Sequence, residues 1–313
     1  MREHPSYPTS VLCSVLCIDI GGTSTKAALL DGEGRLSCLD SIPTAPDGDQ
    51  FVSSLCGLIK RTLGAAAAEA PPRGIGIAVA GFVNAQRTYL DYNPNLPWLE
   101  RFPLKDRIAQ QFALPIELEI DSNAACMAEY RFGFNETPER FLCLTAGTGL
   151  GVGMTVKGEL LRFSHGCMGD PGHLIVDRNG PVCSCGGRGC VEAIISAPML
   201  AKRYQTATGA GGSLSLREVI SAAESGDYNA IAILRDAGSA LGVAVASLAH
   251  IFFPDEVAIA GGLSSAGDFV MNPLRESFRA VASERARSET KISRAFLGPN
   301  ATLIGAAWPF WKE

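Results

Sequence analysis

Apolar and polar positions fall into alternating blocks along the chain. Over residues 50–69, apolar Phe51, Leu55, Leu58, Ile59 and Leu63 recur at helical spacing and predict an amphipathic helix. Residues 74–79 and 116–120 read as strands, and 257–260 as a buried strand ending in Gly261-Gly262. The Asn- and Pro-rich stretch 84–97 reads as a loop. Asp121 or Ser122 is placed to cap a helix running to Phe132, and Ser196 to cap another with Pro198 in its first turn. A long helix is expected over 229–251, and a last one after Pro299-Asn300. Strands alternating with helices predict an α/β fold with sheets covered on both faces.

One pattern occurs twice. Residues 16–33 read L-C-I-D-I-G-G-T-S-T-K-A-A-L-L-D-G-E, and residues 142–159 read L-C-L-T-A-G-T-G-L-G-V-G-M-T-V-K-G-E. Each is an apolar strand, a Gly/Thr turn, a second strand and a tight turn at Asp31-Gly32 or Lys157-Gly158. An offset of 126 residues is too long for a solenoid and predicts a duplicated domain. A nucleotide would then lie in the cleft between the halves. No low-complexity linker separates them, so the lobes are expected to share a hinge.

With 313 residues and 47% hydrophobic content, the chain can build two cores. A net charge of −5 without a Lys/Arg cluster argues against nucleic acid as a partner. The run from Val11 to Ile20 is short and broken by Asp19, so neither a signal sequence nor a membrane span is expected there. Ten cysteines without a signal sequence suggest a reducing, cytoplasmic compartment.

Three of those cysteines stand apart. His173 is followed by Cys183-x-Cys185 and, after four residues, Cys190, in a loop with Gly186, Gly187 and Gly189. Three sulfurs and one imidazole suit a closed tetrahedral Zn²⁺ site, against the plainer reading of buried thiols. Asp170 and Glu192 flank the cluster, as site carboxylates or as solvated loop residues. Cys13, Cys17, Cys38, Cys56, Cys126, Cys143 and Cys167 sit singly in apolar runs, and no disulfide framework is expected.

The Gly-Thr turns suit polyphosphate. Gly21 and Gly22 let backbone N–H groups approach phosphate oxygens, Thr23, Ser24 and Thr25 offer hydroxyls, and Asp19 can orient hydrated Mg²⁺. Neither a Walker loop nor a Rossmann fingerprint is present. The second turn, Gly147-Thr-Gly-Leu-Gly, would supply the second clamp; plain hairpins are the alternative. Asp121, where a strand gives way to a helix, is either a helix cap or a general base for a hydroxyl nucleophile.

Taken together, Asp19-Ile-Gly-Gly-Thr, Pro94-Asn-Leu-Pro97, Asp121-Ser-Asn-Ala-Ala, Gly147-Thr-Gly-Leu-Gly, Gly169-Asp-x-Gly-His173 and Cys183-x-Cys-Gly-x-x-Gly-Cys-x-Glu192 resemble the ROK family of sugar kinases and sugar-responsive repressors. The resemblance implies the actin-like ATPase fold, two ribonuclease-H-like lobes with a cleft between them. It implies a small lobe of residues 1–120 with a C-terminal helix, 300–313, packing back, and a large lobe of 121–299 carrying the zinc loop. It puts structural zinc on His173, Cys183, Cys185 and Cys190, and the catalytic base on Asp121. Sugar contacts would fall on Gly81, Asn95, Ile120, Asp121, Asp170, His173 and Glu192. ATP with Mg²⁺ would meet Asp19, Gly21, Gly22, Thr23, Ser24, Thr148 and Gly149, with Gly261 and Gly262 toward adenosine. A homodimer is also implied.

The chain departs from the family pattern at Ile120, where Asn is usual, at Asp170, where Glu is usual, and at Ala80-Gly81 in place of Pro-Gly. All three touch the sugar pocket and leave base and metal intact. The expected activity is therefore ATP-dependent phosphorylation of a primary hydroxyl, O6 of a hexose or hexose-like sugar. Alternatives are an amino sugar or cyclitol kinase, or a non-catalytic regulator. About sixteen residues precede the first phosphate motif, with no basic recognition helix, which argues against DNA binding.

Overall fold

The computed structural model describes residues 14–65, 72–93 and 95–311. Cys13, Pro94, the N-terminal segment and the far end of the helix expected over 50–69 lie outside the described residues. Two units form. One comprises Met1–Ala128, Arg162–Cys167 and Asn300–Glu313, the other Glu129–Leu161 and Met168–Pro299. Residues 121–128 and 162–167, placed by the sequence reading in the large lobe, thus join the first unit.

The first unit begins with the hairpin β1 (Val15–Ile20) and β2 (Ser24–Leu30), followed by β3 (Leu36–Pro43) and α1 (Gly48–Ala65). Next come β4 (Ile75–Val79), the small ribbon β5 (Phe82–Val83) and β6 (Leu90–Tyr92), α2 (Leu104–Ala109), β7 (Ile116–Ile120) and α3 (Asp121–Ala128). The sheet order is β3-β2-β1-β4-β7, antiparallel through β3, β2 and β1 and parallel through β1, β4 and β7. α1 buries Phe51, Leu55, Leu58 and Ile59, as its periodicity requires. On β7, Leu118 and Ile120 enter the apolar core, while Glu119 lies on the alternate face and is 0% exposed.

The second unit opens with a single π-turn, Glu129–Gly133, where the sequence predicted a helix continuing to Phe132. The Glu129 carboxylate accepts the N–H groups of Phe296 and Leu297 at 2.9 and 2.8 Å, a tie across 167 and 168 residues that no local pattern announces. The hairpin β8 (Arg140–Ala146) and β9 (Leu150–Val156) leads to β10 (Glu159–Leu160). Then come α4 (Val191–Ile195), α5 (Ala197–Thr208), α6 (Leu216–Glu224), α7 (Tyr228–Phe252), β11 (Glu256–Ala260), α8 (Asp268–Val281), α9 (Glu284–Glu289) and β12 (Lys291–Arg294). The order β10-β9-β8-β11-β12 repeats that of the first sheet, strand for strand in direction. The duplication read from the two hairpins is therefore a duplication of the sheet.

α7 is long and apolar enough to cross a bilayer by composition alone, yet its face of Ala237, Leu241 and Val245 is buried in the core. It crosses α8 at Gly238 and Gly242, where a Cβ would lie 2.4 Å from Val270 O and Leu274 O respectively. Ser196 does occupy the N-cap of α5, but its hydroxyl makes no capping bond. The first unit is completed by α10 (Ala301–Gly305), packed on α3, and a C-terminal 3-10 turn, Trp308–Phe310, in place of one helix over 300–313.

Candidate functional site

In the first unit, the aligned row Ile20, Val79 and Ile120 closes the parallel part of the sheet. The next residues, Gly21, Ala80 and Asp121, leave that edge together, the carboxyl end of parallel strands where α/β sheets bind ligands. β1 and β7 flank β4, so their chains are about 10 Å apart. Asp19, near the end of β1, has its carboxyl pKa raised to about 6, first by burial and then by the charge of Asp121, with Lys26 opposing. Asp121 opens α3, and its Oδ1 accepts Ser122 N–H at 2.7 Å. Burial raises its pKa, and that hydrogen bond opposes the shift.

The Gly21–Ser24 turn is braced from below. Gly21 N–H donates to Ser24 O at 3.0 Å, and Thr44 ties down Gly21 O through its hydroxyl (2.8 Å) and Thr23 O through its N–H (3.0 Å). Gly22, Thr23 and Ser24 remain exposed. Asn95 stands beside this turn, its Cβ 3.6 Å from where a Cβ on Gly22 would sit. Gly81 has φ 111°, and a Cβ there would lie 2.5 Å from Tyr92 O. The Ile120 side chain is 4% exposed and belongs to the core, next to the Gly166 backbone.

Asn93 and Thr44, which the sequence reading passed over, organise this edge. Fully buried Asn93 donates to Ala80 O at 2.9 Å and accepts the N–H groups of Asn95 and Leu96 at 3.0 and 2.9 Å. An Asn followed by a Pro, with amides two and three residues on, is the signal that could have found it.

In the second unit, Gly147 N–H donates to Gly149 O at 2.9 Å across the second Gly-Thr turn, leaving Thr148 exposed. Glu192 Oε2 accepts Leu150 N–H at 2.8 Å, so this carboxylate is fixed against the turn. A Cβ on Gly149 would lie 2.5 Å from the same oxygen. Gly172 sits among Asp170, Glu192 and Leu150 O: a Cβ there would meet them at 3.6, 3.3 and 3.0 Å. Gly261, at φ 81°, leaves only 2.3 Å between a Cβ and Ala146 O, and Gly262 beside it is exposed.

His173, Cys183, Cys185 and Cys190 bring their ligand atoms within 4.8 Å of one another. His173 Nδ1 is 3.5 Å from Cys183 Sγ, and the Cys185 and Cys190 sulfurs are 3.7 Å apart. A tetrahedron with Zn–S of about 2.3 Å and Zn–N of about 2.0–2.1 Å has edges of about 3.5 Å (N to S) and 3.8 Å (S to S). The donor set therefore fits zinc in kind and in spacing. Bonds led by Gly187 N–H hold the Cys185 thiol below its ordinary pKa, while burial and the other sulfurs push Cys190 up to about 12. A cation bound among these crowded sulfurs would favour their thiolate forms. The other ring nitrogen, Nε2, lies 3.5 Å from Asp170 Oδ2.

The ROK family model matches residues 15–313. The chain belongs to the ROK family. A glucokinase of Halalkalibacterium halodurans is 31% identical over 307 residues, covering 93% of both chains. An N-acetylmannosamine kinase of Citrobacter koseri is 30% identical, over 94% of this chain and 97% of that one. The crystal structure of a ROK glucokinase from Streptomyces griseus in complex with glucose and AMPPNP superposes with a TM-score of 0.83 at 31% identity, over 95% of this chain and 98% of that one. This ROK chain thus has the actin-like ATPase fold of its sugar-kinase relatives.

Proposed function

We propose that the chain transfers the γ-phosphoryl group of ATP to a primary hydroxyl, O6 of a hexose, with Asp121 as the base. The chain is an ATP-dependent sugar kinase, and its glucokinase relatives support a hexose acceptor. One observation carries the assignment of the base: Asp121 leaves the same sheet edge as the Gly21–Ser24 turn, with a carboxyl pKa raised by burial. A desolvated carboxylate is a stronger proton acceptor than an exposed one. As the hydroxyl oxygen bonds to the γ-phosphorus, its proton passes to Asp121, and the bond from phosphorus to the β–γ bridging oxygen breaks, releasing ADP.

The candidate phosphate contacts are Gly21, Gly22, Thr23 and Ser24 in the first unit and Thr148 and Gly149 in the second, and Gly261 and Gly262 are candidate adenosine contacts. Asp19 would hold hydrated Mg²⁺, which neutralises phosphate charge when bound. The candidate sugar contacts are Gly81 and Asn95 in the first unit and Asp170, His173 and Glu192 in the second, while Ile120 stays in the core. His173, Cys183, Cys185 and Cys190 would hold zinc as a closed structural centre. His173 would then keep Nε2 free to donate toward Asp170 or a sugar oxygen.

An ADP-release assay over glucose, mannose, allose, N-acetylmannosamine and a cyclitol tests the reading. A hexose should turn over fastest. N-Acetylmannosamine is the second acceptor class, favoured by the Citrobacter relative. Asp121→Asn should remain folded and lose at least about a hundredfold in kcat. Turnover near wild type in that variant would remove Asp121 from the mechanism.

A further inference from the structure

Glu119 is 0% exposed and receives donors from four parts of the first unit. Its Oε1 accepts Ile120 N–H (2.9 Å), Asn123 Nδ2 (2.9 Å) and an Arg162 guanidinium nitrogen (3.0 Å). Its Oε2 accepts the other Arg162 nitrogen (2.5 Å) and Trp308 Nε1 (3.2 Å), with Arg87 3.5 Å away. Asn123 Nδ2 and Arg162 also reach Gly166 O, at 2.9 and 3.4 Å. β7, α3, the 162–167 segment and the C-terminal turn therefore meet on one carboxylate.

Asp121 is bracketed by this network. The backbone just before it, at Ile120, and the side chain two residues after it, on Asn123, are held by the same Glu119 oxygen. Apolar residues could fill the space around Glu119 without loss of stability, so a forked ion pair whose carboxylate is buried and whose Arg162 is half-buried is better explained by the geometry it enforces. We propose that the Glu119–Arg162 pair is a positioning element for Asp121, setting the direction in which its carboxylate meets the acceptor hydroxyl. The proposal rests on the reading of Asp121 as the base. The pair touches neither substrate; it acts through the β7–α3 junction, and misplacing a reacting group by about 1 Å costs on the order of a hundredfold in rate.

The test is steady-state kinetics of Arg162→Lys, Arg162→Ala and the double variant Glu119→Gln/Arg162→Ala, each assayed well below its melting temperature. Arg162→Lys keeps the charge but loses the fork. It should lower kcat by at least about tenfold and leave KM for ATP within about twofold. Added guanidinium should restore much of the kcat of Arg162→Ala without changing its circular dichroism, and the double variant should be no slower than Arg162→Ala. A folded Arg162→Lys with kcat within twofold of wild type overturns the proposal. So does a loss in Arg162→Ala that guanidinium leaves untouched. Asp121→Asn, run alongside, separates the two readings. If it is inactive while Arg162→Lys is unimpaired, only the positioning role fails; if it stays active, the base assignment fails and the positioning role with it.

Discussion

Replacing Gly305 by alanine puts a methyl group where α3 already stands. A Cβ at this position would lie 1.8 Å from Ala124 O, and real Cβ contacts essentially never fall below 3.0 Å. α10 and α3 must therefore part by at least about 1.2 Å. The obstacle is helix backbone, which cannot swing aside as a long side chain would. α10 is also fixed at β4, where a Cβ on Gly76 would lie 1.9 Å from Ala306 O. Overpacking of this kind costs about 1–3 kcal/mol, and the rigid partner argues for the upper end. At about 2–4 °C per kcal/mol, the melting temperature should fall by about 6–12 °C. Ala124 lies one turn beyond Asp121, so kcat should fall as well. Gly64→Ala, an exposed α1 position with nothing within 4 Å of a new Cβ, is the control and should be neutral or slightly stabilising. Scanning calorimetry on the three proteins decides the matter. A Gly305→Ala protein melting within about 1 °C of wild type would refute the close-contact argument.

Three further outcomes are expected. Purified protein should carry about one zinc per chain by elemental analysis, and Cys185→Ser should lower both zinc content and melting temperature; a metal-free protein of unchanged stability counts against the site. Asp19 has a folded pKa raised to about 6, so its stabilising contribution is full below the ordinary carboxylate pKa and is lost as pH rises through about 6. Without nucleotide, Asp19→Asn should therefore match wild type in melting temperature near pH 4 and exceed it above pH 6, and a pH-independent difference would remove the basis for this claim. Burial raises the Asp121 pKa, so if Asp121 is the base, the acid limb of kcat should lie above the ordinary carboxylate range; a limb at or below that range would contradict its burial.

What could be read in advance depended on sequence distance. The two hairpins were legible because each compresses strand, glycine turn and strand into eighteen residues. β7 was placed to the residue, since Ile116, Leu118 and Ile120 alternate with Glu117 and Glu119 at strand spacing and Asp121 ends the pattern. The four metal ligands were legible because eighteen consecutive residues contain them all. β3 was missed: it alternates between half-buried and exposed positions, and its Cys38 takes a positive φ of 54° beside an irregularity in the pairing with β2. The sequence reading passed over Glu119, which alternates with Leu118 and Ile120 along β7. Its partners Arg162 and Trp308 lie 43 and 189 residues away, and only the folded chain brings them to it. For the same reason nothing local told that α3 would give way at Glu129, whose partners are Phe296 and Leu297.

The first unit is discontinuous, and this has a consequence during synthesis. Its segments Met1–Ala128 and Asn300–Glu313 are separated by about 170 residues. At about 5–20 residues per second, a ribosome needs roughly 10–35 s to deliver α10 after α3 has emerged. Through that interval the groove at Gly76 and Ala124 stays open, and Glu119 waits without Trp308. The nascent first unit is thus an incomplete core with one face exposed, a surface for a chaperone to shelter, until the last stretch of the chain arrives to close it.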